Sequence, residues 1–139
     1  MEVDGPGGGE ASILAYSGGI SNSATTHTGG GGAAGKANFQ DISVSMVTSK
    51  ISAAFLKSVA MGTHFPEMRL KFYSNSKKLY YQITIQNVIV TSVSFGSSCG
   101  SNPCADQTEN VTFNFPKIKW EDFINNTSFG YNIAANTQL

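Results

Sequence analysis

The chain has 139 residues, enough for a single domain with a proper core, and its nine basic and nine acidic residues cancel. That balance offers no overall field for nucleic acid or anionic lipid, and no apolar run reaches the roughly twenty residues of a membrane span. Charged residues make up 13%, which is low for a globular chain, so Ser, Thr, Asn and Gly carry the polarity. A chain of this kind stays soluble by other means or is built to associate.

In chain order, residues 1–10 read as a Gly/Pro-rich loop, and Met1-Glu-Val-Asp-Gly-Pro6 is neither basic nor apolar as a signal peptide is. A short strand is predicted over 12–16. Residues 18–38 form an extended Gly-rich arm, and the next strand, over 40–47, alternates Ile42, Val44 and Met46 with Ser43 and Ser45. The period then changes. Ile51, Ala54, Phe55 and Val59 fall at helical spacing, with Ser49 as N-cap and Gly62 as stop, which predicts one α-helix over about residues 50–61.

After Pro66 the period returns to two. Met68, Leu70 and Phe72 share a face, 74–78 reads as a turn, and Leu79, Tyr81, Ile83 and Ile85 share the next face. A bend is predicted at Gln86-Asn87, a strand over 88–95 and a loop over 96–109. Val111, Phe113 and Phe115 alternate, Ile118 and Trp120 continue past Pro116, and Phe129, Tyr131 and Ile133 close the chain. The fold class is therefore mainly β: an antiparallel β-barrel or sandwich with one helix packed on it, in one domain spanning 1–139. The alternation predicts a core of Ile42, Val44, Phe55, Leu70, Ile83, Val111, Phe113 and Trp120.

The arm is the unusual stretch. Gly30-x-x-x-x-Gly35-Lys36 copies most of a phosphate-binding loop, but Ala37 stands where Ser or Thr would ligate magnesium. A strand also follows it, where a phosphate site needs a helix N-terminus. Glycine costs backbone entropy to order and brings no side chain to bury. The remaining readings are a plain surface loop and a loop ordered by a partner.

Four residues separate Cys99 from Cys104 in a loop with Gly and Pro, so a local disulfide is sterically easy and implies an oxidising compartment. Free thiols and a metal site are the alternatives, the latter short of the four ligands zinc takes. His27 reads as a loop residue and His64 as a helix-end residue, with no carboxylate or Cys motif beside either. No Gly-x-Ser-x-Gly elbow is present, Glu121-Asp122 reads as a solvent-facing pair, and the aromatics read as core rather than as a stacking platform. No catalytic, cofactor or metal residue is assigned.

Six blocks carry a family resemblance: Gly19-Ile-Ser-Asn-Ser23, His27-Thr-Gly-Gly-Gly-Gly-Ala-Ala-Gly-Lys36, Phe39-Gln-Asp-Ile-Ser43, Leu56-Lys-x-x-Ala-x-Gly-Thr-His64, Thr108-Glu-Asn-Val-x-Phe-Asn-Phe-x-Lys-Ile-Lys119 and Phe129-Gly-Tyr-Asn-Ile-x-x-Asn136. In this order the chain resembles the Hcp family, the hemolysin-coregulated tube proteins of type VI secretion. The resemblance implies a compact β-barrel subunit that assembles with itself into hexameric rings, stacked as a hollow tube or filament. Effector cargo in the lumen is a further implied partner; nucleic acid, membrane insertion, cofactor and metal are not implied.

The arm would then reach from one ring to the next, through His27, Gly29, Gly30, Gly31, Gly32, Ala33, Ala34, Gly35 and Lys36. The chain departs from the family in three places. Little precedes Asp4-Gly5, where the family has an apolar strand; a cysteine pair stands in a loop; and the charge is low. The last two lean towards a secreted or extracellular relative, cytoplasmic before assembly if it serves a secretion machine. The alternative function is a secreted soluble binding module or effector that uses the barrel surface.

Overall fold

The computed structural model describes residues 1–23, 37–100 and 105–139. Its strands are β1 (Glu2–Val3), β2 (Gly9–Glu10), β3 (Ile13–Ser17), β4 (Ile20–Asn22), β5 (Ala37–Phe39), β6 (Ile42–Val47), β7 (His64–Tyr73), β8 (Leu79–Gly96), β9 (Thr108–Asn114), β10 (Lys117–Asp122), β11 (Thr127–Asn132) and β12 (Thr137–Gln138). The one helix among the described residues, α1 (Ser52–Met61), lies between β6 and β7.

The 18-residue β8 is the spine. Its first half lies between β7 and β10, and its second half pairs with β9. From β9 the sheet continues to β6 and then β3; from β7 it continues to β1 and β2; from β10 it continues to β11 and β12. Every pairing in this sheet is antiparallel, as the sequence predicts. Among the described residues the sheet is not closed by hydrogen bonds, since β3 pairs only with β6 there.

The core follows the alternation. Ile42, Val44, Phe55, Leu70, Ile83, Val111 and Phe113 are all buried, and Trp120 is only partly so, packed against the edge of the core. Phe55 of the helix meets Phe65 and Phe113 edge-on, at 5.9 and 5.4 Å between ring centroids, and so holds α1 on the sheet. Gln86-Asn87 does not break the strand. Asn87 instead takes a positive φ of 53° inside β8, and the buried face shifts phase, from Ile83 and Ile85 to Val88 and Val90.

Three expectations are corrected. The first ten residues are not all loop, since β1 and β2 pair there and Val3 is buried. A turn closed by Gly8 N–H to the Gly5 carbonyl joins them, and a Cβ on Gly8 would sit 2.2 Å from the Val3 carbonyl oxygen. Second, the helix starts later than predicted. Ile51, not Ser49, is the N-cap, and it makes no side-chain cap bond; Ser49 and Ser52 form the turn before it. Gly62 does stop the helix, with φ 72° and its N–H on the Ser58 carbonyl.

Third, the buried face is Ile51, Ser52, Phe55 and Ser58, while Val59 and Leu56 are exposed. Ser58 can face the sheet because its hydroxyl donates to the Thr63 carbonyl at 2.6 Å and accepts the Val90 N–H at 3.2 Å. Both of its hydrogen-bonding roles are satisfied there, so its burial carries little penalty. His64 likewise opens β7 rather than closing the helix.

Candidate assembly site

The arm leaves the barrel on a two-stranded ribbon. Ile20, Ser21 and Asn22 of β4 face Phe39, Asn38 and Ala37 of β5, antiparallel. Residues 24–36 lie outside the described residues, and with them His27, Gly29, Gly30, Gly31, Gly32, Ala33, Ala34, Gly35 and Lys36. What the structure defines is the platform that carries this segment.

Stacking and hydrogen bonds fix the platform. Phe39, at the foot of β5, stacks on Tyr131 (5.1 Å, 22°) and on Trp120 (6.4 Å, 25°). Trp120 stacks in turn on Phe129, its cross-strand partner, at 5.9 Å and 16°. Such pairs add about 0.5–1.5 kcal/mol each beyond the area they bury. Phe39 and Trp120 pack against the core while Phe129 is exposed, and the four rings close into one cluster at the ribbon's foot. Gln40 N–H donates to the Gly19 carbonyl at 2.9 Å and closes the base.

The next residue is the rivet. Asp41 accepts from Thr91 Oγ1 at 3.0 Å and from Asn114 Nδ2 at 2.8 Å, tying the exit of the arm to β8 and β9. Under the ribbon lies an apolar cavity of about 360 Å³, lined by residues that include Ile20, Phe39, Ile42, Tyr81, Phe115 and Trp120. Burial pushes the Tyr81 hydroxyl above the ordinary tyrosine range.

A second fixed point lies on the outer face of β1 and β7. Arg69 bonds Glu2 at 3.2 Å and Asp4 at 3.0 Å, and also meets Glu67; Lys71 meets Glu2. Lys71 and Arg69 hold the Glu2 carboxyl below its usual range. The cluster pins the outer face of the two-residue β1 onto β7, while Val3 is buried on the other face. Asp122, half-buried like Glu121, works locally. It accepts from the Ile124 and Asn125 backbone and from the Asn125 side chain, so it caps the turn into β11.

Cys99 lies in the loop after β8, while Cys104, and with it the expected bridge, lies outside the described residues. Among the described residues, no three of His, Cys, Asp or Glu gather as a metal site, and no helix is long and apolar enough to cross a membrane.

Comparison with known proteins agrees with this geometry. The profile of the family described as "Type VI secretion system effector, Hcp" matches residues 6–121. Protein hcp1 of Pseudomonas aeruginosa is 35% identical over 87 residues, which are 60% of this chain and 52% of that protein. The chain thus spans about half the length of the curated relative it matches. The crystal structure of Hcp1 from Salmonella typhimurium superposes with a TM-score of 0.78 at 23% identity, over 94% of this chain and 85% of that one. A type VI secretion system effector from Yersinia pestis superposes at 0.74 with 18% identity, over 94% of this chain and 96% of that one. At these identities the superpositions establish the fold.

Proposed function

Because this chain belongs to the Hcp family of type VI secretion system proteins, we propose that it is a structural subunit that assembles with itself into hexameric rings, stacked as a hollow tube. Its work is shape rather than catalysis, and effector cargo would occupy the lumen. The observation that supports this reading is the β4–β5 ribbon, set on a stacked aromatic foot, whose two strands flank the glycine run in sequence. A glycine run has no buried side chains to offset the cost of ordering it. A neighbour's strand edge can hold it through backbone hydrogen bonds, which need no side-chain bulk. His27, Gly29, Gly30, Gly31, Gly32, Ala33, Ala34, Gly35 and Lys36 are assigned to that contact between rings.

Deleting residues 29–34 tests the assignment. The expected product is a folded subunit, with an unchanged circular dichroism spectrum, that no longer stacks into tubes under the electron microscope. Full-length tubes from the deletion protein would return the segment to a plain surface loop.

The same reading gives the chain a secreted address, reached from the cytoplasm, where low charge and a cysteine pair are suited to an oxidising medium. The proposed Cys99–Cys104 bridge closes a short loop, so it adds little stability and is not needed for folding. Alkylation of freshly isolated native protein without reductant, followed by mass spectrometry, should find neither thiol modified. Two alkylated thiols would contradict the bridge.

A further inference from the structure

The core is not sealed everywhere. Val44, Met46, Phe55, Leu70 and Phe113 are at most 1% exposed, whereas Ile42, Ile83, Phe115 and Ile118 keep 3–5% of their surface open. Those four come from β6, β8, the β9–β10 connection and β10, and all of them line the cavity of about 360 Å³ under the β4–β5 ribbon. Phe39 and Trp120, stacked on each other, and Tyr81 add rings to the lining. Ile20 and Tyr16, each nearly half exposed, stand at its mouth. Gly18 and Gly19 line it too, so the chain passes there without side chains. A Cβ on Gly18 would lie 3.3 Å from Ile42 Cγ1. No charged residue belongs to the described lining; its polar side-chain groups are the Gln40 amide, the two tyrosine hydroxyls and the Trp120 indole N–H.

We propose that this cavity is a binding site for a small, uncharged ring compound that carries one hydroxyl or carbonyl group. Its volume falls within the roughly 300–1,000 Å³ of small-molecule sites, which favour the mouths of β-barrels and combine apolar walls with a few polar groups. An empty cavity forfeits the dispersion contacts that its lining would make with an occupant, and so costs stability. Water fits poorly, because it needs several polar partners and the floor here is hydrocarbon. A planar ring can instead lie against the aliphatic floor and stack among Phe39, Trp120 and Tyr81.

The lining also sets the charge of the ligand. An ion entering here would leave its hydration shell and meet no counter-charge, which is costly. A single hydroxyl or carbonyl can be met, since the Gln40 amide both donates and accepts and a tyrosine hydroxyl does the same. Burial keeps the Tyr81 hydroxyl protonated, so it remains a donor at neutral pH. The proposal does not rest on the tube reading, because every residue it uses belongs to one subunit.

The test titrates the intact protein, labelled at its isoleucine methyl groups, with 2-naphthol at neutral pH and follows the methyl resonances. The expected result is a saturable shift of Ile42, Ile83 and Ile118, while Ile51, Ile85 and Ile89, which lie outside the cavity lining, stay in place. 2-Naphthoate, the charged counterpart, is expected to bind about tenfold more weakly or worse. Gly18→Leu, whose side chain would enter over Ile42, is expected to abolish binding with an unchanged circular dichroism spectrum. No saturable shift up to the solubility limit, shifts spread over all the isoleucines, or equal binding of 2-naphthoate would overturn the proposal. Shifts of the same three methyls that grow with protein concentration alone, with 2-naphthol then excluded, would make the occupant a neighbouring copy and overturn it as well.

Discussion

Replacing Phe113 with Ala lowers the free energy of unfolding by about 3–5 kcal/mol, the usual cost of emptying a large aromatic site that cannot collapse. Phe113 is fully buried on β9, between Ile42 of β6 and Val90 of β8, and its ring meets Phe55 at 72°. The substitution removes both the filling of the barrel and the seat of the helix. Urea unfolding followed by circular dichroism measures the loss. A midpoint that does not move would mean that the inward face has been assigned wrongly.

Replacing Glu109 with Met has the opposite sign. Glu109 is only 3% exposed, and neither carboxylate oxygen has a hydrogen-bond partner among the described residues. It stands on the same face of β9 as Val111 and Phe113, opposite Met46 and Phe95. A buried polar group without a partner costs about 1–3 kcal/mol, and Met fills similar space with no group to satisfy. The variant is therefore expected to gain on the order of 1–3 kcal/mol in the same urea experiment. A loss of stability would show that the carboxylate is held by an interaction in the working protein.

Much of this fold was legible because one face of each long strand is buried. Ile42, Val44 and Met46, or Val111 and Phe113, alternate with polar residues, and a slip of one residue would turn the whole set to solvent. Glu109 breaks that alternation where it should hold, so the sequence does carry a signal of an odd buried group. The two-residue strands β1 and β2 are too short to show a period. On the helix, Ile51 and Phe55 are buried as their spacing predicts, but Ser58 looks like a surface residue until the Thr63 carbonyl and the Val90 N–H are placed around it.

The candidate site divides in the same way. Glycine content marks the arm directly, since few other roles suit such a run. The aromatic foot could not be read, because Phe39, Trp120, Phe129 and Tyr131 come from three strands and meet only through the β10–β11 register.

The central claim is that this subunit builds a tube, and negative-stain electron microscopy of the purified intact chain tests it most directly. Six-fold rings in end view and stacked, hollow rods in side view are expected as concentration rises. A field of dispersed monomers at every concentration, with sedimentation giving a single subunit mass, would contradict it.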